Sequence, residues 1–550
     1  MRVFSTDHRH IGRCYLVLGG VAVTCGVLLS LIMRIHRIDP TAVWPMWGVM
    51  KPEDYLAAVT IHGTLMVFFV LTTIPQAGFA SLVLPEQIGS SRMALPWLNA
   101  AAFWTTAVSL CVLLASTFVH GGSPISGWSS YPPFSALPLT GPGQALGMDL
   151  WLISIGIFCI AATMSAANTI ATIVKCRCEG MSWSRLPLTV WGWWIAAVLT
   201  AIVFAVLLLA VAMLLADRHA GTSFFVPAGE VINGIAIQRI GNGSPLLWLH
   251  LFWFFGHPVV YIAILPGMGL ASVIFANFCR RTMPGYRWMV AMLFAIGLLG
   301  LTVWGHHMFV AGLNPFAGTA FQLTTIAIAL PSTFEVLNWI ATLWGSRPRF
   351  ETPMLWMLGF LSLFIVGGLS GPLLAQPALD AYVHNTFFVV AHFHLVMGMA
   401  AVFTIFAGIT YWFPLITKRK LSEGLGKVHF WWTLAFAYLT FLPMHITGLE
   451  GEPRHYAQLT GMPGPAAALL ERTLPLERHI TVCAILLAAG QLFFFWNLFR
   501  TMRRPPDMEQ NPWAATTMEW APAGKEATVC HRAASLYSDV GEPLPQWQQE

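Results

Sequence analysis

Charged residues are scarce in this chain of 550 residues: only 10% are Asp, Glu, Lys or Arg, while 56% are hydrophobic. Ordinary soluble domains carry about 25% charged residues, so the composition excludes a soluble globular protein. The chain also lacks any basic run with interleaved aromatic residues, the pattern typical of nucleic-acid binding. The net charge of +5 therefore predicts contact with membrane lipid headgroups and no nucleic-acid partner.

The hydrophobic residues are gathered in roughly twelve continuous runs of about 20 residues, the length that crosses a ~30 Å hydrocarbon core as a helix. Transmembrane strands would instead alternate apolar and polar residues over about 10 positions. We therefore predict an all-α integral membrane protein with about twelve transmembrane helices. The predicted spans are 13–35, 58–84, 96–119, 148–174, 190–216, 245–275, 288–312, 318–345, 354–373, 384–415, 428–449 and 479–500.

Several connections between these runs have no Lys or Arg, namely 120–147, 313–317 and 374–383. Connections rich in Lys and Arg stay in the cytoplasm, so the bare connections are assigned to the outside and both termini to the cytoplasm. Three outer connections carry arginines against this rule and need another explanation. They are 36–57, 217–244 and 450–478.

The composition changes again near the end of the chain, which becomes polar and Pro-rich after about residue 505. Such a segment has too few apolar residues to form a core of its own. We predict one transmembrane domain over residues 1–504 and a weakly structured cytoplasmic tail over residues 505–550.

Six histidines lie inside the apolar runs, and they are the strongest indication of function. An imidazole in hydrocarbon is costly unless it is paired or bound to a metal, so a set of this size predicts metal chemistry within the membrane. The six are His62, His257, His306, His307, His392 and His394.

His392 and His394 are two residues apart, so on a helix they project about 200° apart and cannot easily share one metal. Haem iron readily takes an axial imidazole, and two haems on either side of one helix are the economical interpretation. The alternative is one core histidine and one histidine packed against a carbonyl. His62 has no histidine neighbour in the sequence. We interpret it as a second axial ligand to one of these irons.

His257 forms a third group with His306 and His307. Adjacent histidines diverge by about 100° on a helix, so both reach one ion only if it lies off the helix edge or if the helix end is distorted. Three imidazoles without thiolate or carboxylate suit copper, with zinc as the chemical alternative. Tyr261 lies one helical turn after His257, where a phenol can supply a proton and an electron.

Taken together, these segments resemble subunit I of the haem-copper oxygen reductases over most of the chain. The motifs that carry the resemblance are HGTLMVFF, FWFFGHPVVY, VWGHHMF, GWSSYPPFS and HNTFFVVAHFH. The resemblance implies that His62 and His394 bind a low-spin haem, that His392 binds a high-spin haem, and that His257, His306 and His307 bind one copper ion. It also implies that Tyr261 is the active-site tyrosine, covalently joined to His257.

Other positions are implied by the same resemblance. Arg34 matches an arginine that contacts the low-spin haem, while Trp128 and Arg454 match residues near the haem propionates. His455 replaces a second arginine of the family, which leaves one propionate less firmly held. His384 and Asn385 stand where the family usually has a histidine and an aspartate at a magnesium site, and this loss of a carboxylate makes the magnesium doubtful.

The residues that usually conduct protons in this family are changed. Val259 replaces a glutamate that relays protons, and Arg92 and Ala100 replace an aspartate and an asparagine of the same route. Glu335 replaces the lysine of the second route. These changes argue against the usual proton pumping, and we expect Glu335 either to serve a modified second route towards Tyr261 or to be a structural carboxyl hydrogen-bonded to nearby polar side chains.

The sequence therefore predicts the catalytic subunit of a terminal oxidase that reduces O2 to water, in a bacterial cytoplasmic membrane. Its expected partners are other oxidase subunits, a subunit II above all, and cytochrome c or a quinol as electron donor; the haem type is left open. The alternatives are a haem-bearing gas sensor, a degenerate paralogue with little turnover, and a nitric oxide reductase. Tyr261 argues against the last, since those relatives lack a tyrosine at this spacing.

Overall fold

The computed structural model describes residues 4–45, 48–232, 234–457, 464–506 and 511–521. Nearly all regular structure in these residues is helical. The α-helices are α1 His8–Ile38, α2 Pro52–Thr64, α3 Phe79–Gln87, α4 Pro96–Ala115, α5 Leu146–Lys175, α6 Leu188–His219, α7 Pro245–Gly256, α8 Pro258–Cys279, α9 Tyr286–Gly300, α10 Pro315–Ala327, α11 Ala329–Leu343, α12 Thr352–Gly368, α13 Gly371–Leu374, α14 Pro377–Val383, α15 Phe387–Phe393, α16 Ala400–Thr417, α17 Glu423–Phe441, α18 Met444–Leu449 and α19 Pro465–Met502.

Wider π-helical turns and tighter 3₁₀ turns join or end several of these helices. The π-helical segments are Leu65–Thr72, Ile74–Gly78 and His394–Met399, and the 3₁₀ segments are Phe134–Ala136, Pro138–Thr140, Trp183–Arg185, Trp304–Met308 and Met518–Trp520. Two short antiparallel hairpins complete the described structure: β1 Val43–Trp44 pairs with β2 Gly48–Val49, and β3 Val231–Ile232 pairs with β4 Ile235–Ala236.

Eleven helices of the described chain are long and apolar enough to cross a membrane, which confirms the predicted fold class. They coincide with eleven of the predicted spans. The predicted span 428–449 corresponds to α17 and α18, and α17 is not among the eleven. The assignment of both termini to the cytoplasm stays a prediction.

The consecutive helices α7 and α8 lie at the centre of the bundle. Their shared apolar stretch is 89% buried, whereas that of α19 is only 17% buried. Small residues let α8 approach α6 closely: a Cβ on Gly192 would lie 2.5 Å from the carbonyl oxygen of Leu265, and one on Gly269 would lie 2.4 Å from that of Leu188. Such close backbone contacts are typical of packed membrane helices.

The outer arginines that conflicted with the charge rule form specific contacts. The buried Arg218 side chain donates to Asp149 at 2.6 Å and to the carbonyl oxygens of Ser135, Gln144 and Ala145. Arg472 pairs with Glu450 at 2.5 Å. The buried contacts of Arg218 give it a structural role on the side predicted to be outside.

Two expectations about the end of the chain were wrong. The connection predicted at 450–478 is partly helical, because α19 begins at Pro465 and its first residues are mostly good helix formers despite their charge. Residues 511–521 are not weakly structured: Trp513 and Trp520 are buried, and Trp513 Nε1 donates to the carbonyl oxygen of Tyr411 at 2.8 Å. The division at residue 504 stays a prediction, and the rest of the predicted tail lies largely outside the described residues.

Candidate metal centre

Three imidazoles meet at the junction of α7 and α8. His257 Nδ1 lies 3.2 Å from His307 Nε2, and His306 Nε2 lies 3.1 Å from the same atom. One ring nitrogen from each histidine lies within 4.8 Å of the other two. Metal–nitrogen bonds of about 2.0 Å in a tetrahedral site place ligand nitrogens roughly 3.3 Å apart, so this spacing suits one metal ion.

Breaks in helical geometry bring these rings together. His257 separates α7 from α8, because Pro258 has no amide hydrogen with which to continue the ladder. α9 ends at Gly300, and His306 and His307 lie on the tighter turn Trp304–Met308. This is the distorted helix end that two adjacent histidines need in order to face one ion.

Neighbouring side chains hold each imidazole in place. His306 Nδ1 lies 3.0 Å from the hydroxyl of Thr325, and the ring of Trp253 stacks on His307 with centroids 4.0 Å apart. His257 Nε2 is buried and has no hydrogen-bond partner in the described part of the chain. Because Trp253 also donates to Tyr131 at 2.7 Å, a hydrogen-bonded aromatic layer supports the centre.

Tyr261 lies beside this group, one turn along α8 from His257. The two ring centroids are 4.9 Å apart. α9 touches the other side of the phenol: a Cβ on Gly300 would lie 2.8 Å from Tyr261 Cδ2. The predicted tyrosine is therefore next to the predicted metal ligands. Because Gly300 has no side chain, the backbone of α9 packs directly against the phenol ring on its other side.

His392 and His394 contact different helices, as their spacing predicts. His392 Nδ1 donates to the hydroxyl of Ser370 at 2.8 Å and to the carbonyl oxygen of Gly367 at 3.1 Å. His394 begins a π-helical turn, donates from Nδ1 to the carbonyl oxygen of Val390, and stacks on Phe441 with centroids 4.7 Å apart. In both rings the hydrogen bond at Nδ1 leaves Nε2 with its lone pair.

His62 follows the same rule. Its Nδ1 donates to the carbonyl oxygen of Gly26 on α1 at 2.8 Å, so Nε2 is again the acceptor nitrogen. Trp128 packs over the adjacent backbone, where a Cβ on Gly63 would lie 3.1 Å from Trp128 Cδ1. The structure thus places Trp128 beside the helix that carries His62.

The remaining predicted cofactor residues lie around the ends of α1 and α15. Arg34 pairs with Glu477 at 3.0 Å. Arg454 donates to the side-chain oxygen of Asn385 at 2.9 Å, while its buried Nε has no hydrogen-bond partner in the described chain. His455 lies exposed next to it. The Nε–H group of Arg454 is therefore available to donate to an anionic group.

His384, at the position of the family magnesium site, has an acidic partner. Its Nδ1 lies 2.8 Å from a carboxylate oxygen of Asp380, one helical turn earlier. Sequence reasoning considered only His384 and Asn385 and missed this carboxylate. The expectation that magnesium is doubtful stays a prediction.

Glu335 is fully buried on α11, and neither of its carboxylate oxygens has a hydrogen-bond partner in the described chain. The structural alternative required hydrogen bonds to neighbouring polar groups, but Ser332 donates to Ile328 and Asn338 to Pro284. In the described chain, neither Ser332 nor Asn338 therefore donates to Glu335, and the role of this carboxyl stays a prediction.

Val259 lies four residues after Phe255, whose ring belongs to a group of phenylalanine rings. The ring of Phe255 lies 5.5 Å from that of Phe68 and 4.9 Å from that of Phe204, and Phe68 also contacts Phe158 at 5.3 Å. Val259 itself is only 2% exposed. No carboxylate is present in this cluster to hold a proton.

A family model described as Cytochrome C and Quinol oxidase polypeptide I matches residues 10–486. The chain belongs to this family. It is 39% identical over 548 residues to "Alternative cytochrome c oxidase subunit 1" of Bradyrhizobium diazoefficiens, covering 98% of this chain and 91% of that protein. It is 35% identical to "Cytochrome c oxidase subunit 1" of Cereibacter sphaeroides, covering 94% and 92% of the two chains.

A solved structure has the same fold. A heme-copper terminal oxidase dimer matches with a TM-score of 0.73 at 19% sequence identity, covering 97% of this chain and 91% of that one. The family model and the two relatives confirm the predicted family. As a haem-copper oxidase subunit I, this chain is an integral membrane oxidoreductase of respiration whose cofactors are haem and copper and which belongs with other oxidase subunits.

Sequence reasoning missed several residues that shape the site. Trp253, Thr325 and Glu477 contact predicted ligands or Arg34, yet none was identified beforehand. Trp253 could have been identified from its spacing, since it precedes His257 by one helical turn. No sequence pattern identifies Thr325 or Glu477, because their contacts join different segments of the chain.

Proposed function

We propose that this chain is the catalytic subunit of a terminal oxidase that reduces O2 to water at a high-spin haem and a copper ion, with electrons delivered through a low-spin haem. The observation that carries this proposal is the convergence of His257, His306 and His307 within 4.8 Å. Their donor set suits copper or zinc, and the family's cofactors favour copper.

His62 and His394 would hold the low-spin haem, and His392 the high-spin haem. Their fit is supported by the hydrogen bond that each ring makes at Nδ1, which leaves Nε2 as the ligand atom. When bound, the haems transfer electrons and, with copper, bind oxygen. The buried, unpartnered Nε of Arg454 supports its assignment to a propionate.

Tyr261 would supply a proton, and with it an electron, next to the copper ligands. Its ring lies 4.9 Å from that of His257, whose Nε2 has no other partner in the described chain. This arrangement supports the covalent link between the two side chains that the family resemblance implies. It also favours oxygen over nitric oxide as the substrate, because the nitric oxide reductases of this family lack this tyrosine.

Protons would reach the centre by a modified second route through Glu335, and the usual pumping would be absent. Val259 has no group that relays a proton, and the nearby Phe255 packs against the apolar rings of Phe68 and Phe204. Glu335, buried without a hydrogen-bond partner, remains available to bind and release one.

Replacing Glu335 tests this route. In Glu335→Gln, oxygen uptake by the purified complex should fall by about 10²-fold, since a positioned proton donor contributes at least that factor. The haem spectrum should be unchanged. The exposed Glu179→Gln is the control, and normal uptake in Glu335→Gln would rule the relay out.

The decisive experiment is oxygen uptake by the purified complex with cytochrome c and with a quinol, alongside metal analysis and a reduced-minus-oxidised spectrum. We expect two haems, one copper and uptake with one of the donors, in a complex from a bacterial cytoplasmic membrane that includes a subunit II. Two haems and a copper without uptake would favour a gas sensor or degenerate paralogue, and a single haem would overturn the assignment of His392 and His394.

A further inference from the structure

Four charged side chains form a buried group where the C-terminal end of α1 meets α19. Arg34 Nη1 lies 3.0 Å from Glu477 Oε2, and Arg37 Nε lies 3.6 Å from the same oxygen. Arg37 also pairs with Glu452 through Nη2. We name Arg34, Arg37, Glu452 and Glu477 the charge quartet.

The quartet is withdrawn from solvent. The side chains of Glu452 and Glu477 are 0% and 2% exposed, and those of Arg37 and Arg34 are 6% and 13% exposed. Each carboxylate has one oxygen without a hydrogen-bond partner in the described chain. Two arginines thus balance two carboxylates, and removing one member leaves an unpaired charge in a low-dielectric setting.

Arg34 connects this quartet to the space around His394. Its Nη2 lies 3.2 Å from the sulfur of Met444, and its guanidinium lies 5.0 Å from the centroid of Phe387, on the helix that ends at His394. Phe441, which stacks on His394, packs in the same apolar cluster as Phe387 and Met444.

Glu477 is the carboxylate that faces the guanidinium of Arg34, at 3.0 Å. Phe387 below this guanidinium and Phe441 beside His394 belong to one apolar cluster, so the ion pair of Arg34 and Glu477 lies near a predicted ligand of the low-spin haem.

We propose that Glu477, supported by Arg37 and Glu452, is a positioning residue that holds Arg34 at the low-spin haem site and sets the reduction potential of that haem. This inference rests on the proposed function, since it takes His62 and His394 as the haem ligands. A buried negative charge favours the oxidised iron and a positive charge the reduced iron, and charge near a haem is one of the ways in which a protein adjusts its potential.

The test is a redox titration of the low-spin haem in the purified complex, followed by its visible absorption band. Glu477→Gln keeps the side-chain shape but leaves the charge of Arg34 uncompensated, so the midpoint potential should rise. Glu477→Asp keeps the charge and should return the potential towards that of the wild type. Glu471→Gln, at an exposed position on the same helix, should leave it unchanged.

An unchanged potential in fully haem-loaded Glu477→Gln, or an equal shift in Glu471→Gln, would overturn the inference. If Glu477→Gln does not assemble, Arg34→Gln is compared with the double variant Arg34→Gln/Glu477→Gln, which leaves no new unpaired charge. The single variant should have a lowered potential and the double variant a potential close to that of the wild type; identical potentials in the two would also overturn the inference. Absence of a low-spin haem from the wild-type complex would instead refute the proposed function.

Discussion

The hydrogen bond made by one imidazole nitrogen decides what the other nitrogen can do. The hydroxyl of Thr325 donates to the carbonyl oxygen of Phe321 at 2.5 Å, so it accepts from His306 Nδ1–H at 3.0 Å. This pair of hydrogen bonds selects the tautomer of His306 in which Nε2 has a lone pair facing His307. Thr325 therefore orients a predicted copper ligand from outside the set of three histidines.

Removing this hydroxyl should weaken copper binding. In Thr325→Val, the shape of the side chain is kept but His306 loses its hydrogen-bond acceptor. We expect copper affinity to fall about 10–100-fold, the usual effect of losing a group that orients a metal ligand. Copper retention during dialysis against a chelator measures this change.

Thr324→Val is the matched control. The hydroxyl of Thr324 lies 3.2–3.3 Å from the carbonyl oxygens of Thr302, Ala320 and Phe321, and it forms no hydrogen bond with a histidine of the described residues. Copper loss equal to that of Thr325→Val would show that the threonines act through helix stability and not through His306.

The endings of helices place the reactive groups. α9 stops at Gly300, which allows the following turn to direct His306 and His307 towards His257. The same glycine leaves room for Tyr261, because any Cβ there would press on the phenol at 2.8 Å. One helix end thus serves both the predicted copper ligands and the predicted proton donor.

Adding a methyl group at the end of α9 should disturb both the predicted copper ligands and Tyr261. In Gly300→Ala, overpacking against Tyr261 should lower stability by about 1–3 kcal/mol and reduce oxygen uptake. Thermal inactivation of the purified complex and its steady-state uptake report the two effects.

Gly318→Ala provides the comparison, since a Cβ at Gly318 would meet no atom within 4 Å. Gly318 lies within α10, where alanine is the better helix former by about 1 kcal/mol. We expect this variant to be at least as stable as the wild type. A Gly300→Ala variant with the same behaviour would contradict the packing of Tyr261 against α9.

On the scale of the whole molecule, the balance between apolar runs and positive charge determines how the chain sits in a membrane. Two of the arginines that conflict with the charge rule, Arg37 and Arg218, are nearly or fully buried in ion pairs. A paired, buried arginine is not a free positive charge for a headgroup. The remaining Lys and Arg residues still favour both termini in the cytoplasm.

Fusions test this orientation in a bacterial host. Green fluorescent protein joined to the C-terminus should fluoresce, whereas alkaline phosphatase at the same place should be inactive, because each folds on only one side of the membrane. The reverse result would show that the connections with buried arginines are cytoplasmic. A second pair of fusions truncated within 313–317 serves as the control and should behave in the opposite way.

Most of the fold and the identity of the six histidines followed from local properties of the chain. Hydropathy over about 20 residues locates a membrane span, and successive side chains on a helix point 100° apart. The position of a span and the direction of a histidine on it can therefore be predicted without knowing which helices pack nearby. The same reasoning missed the start of α19 and the burial of residues 511–521, because charged or polar segments pack only where the rest of the molecule offers partners.

The sequence by itself determined a helical membrane protein with a histidine set suited to haem and copper. Only the tertiary structure decided which nitrogens converge, that Glu335 has no hydrogen-bond partner in the described chain, and that Glu477 faces Arg34 from 443 positions along the chain. The physical reason is that composition and periodicity are local, whereas ligand geometry and buried charge pairing depend on contacts between helices that are distant in sequence.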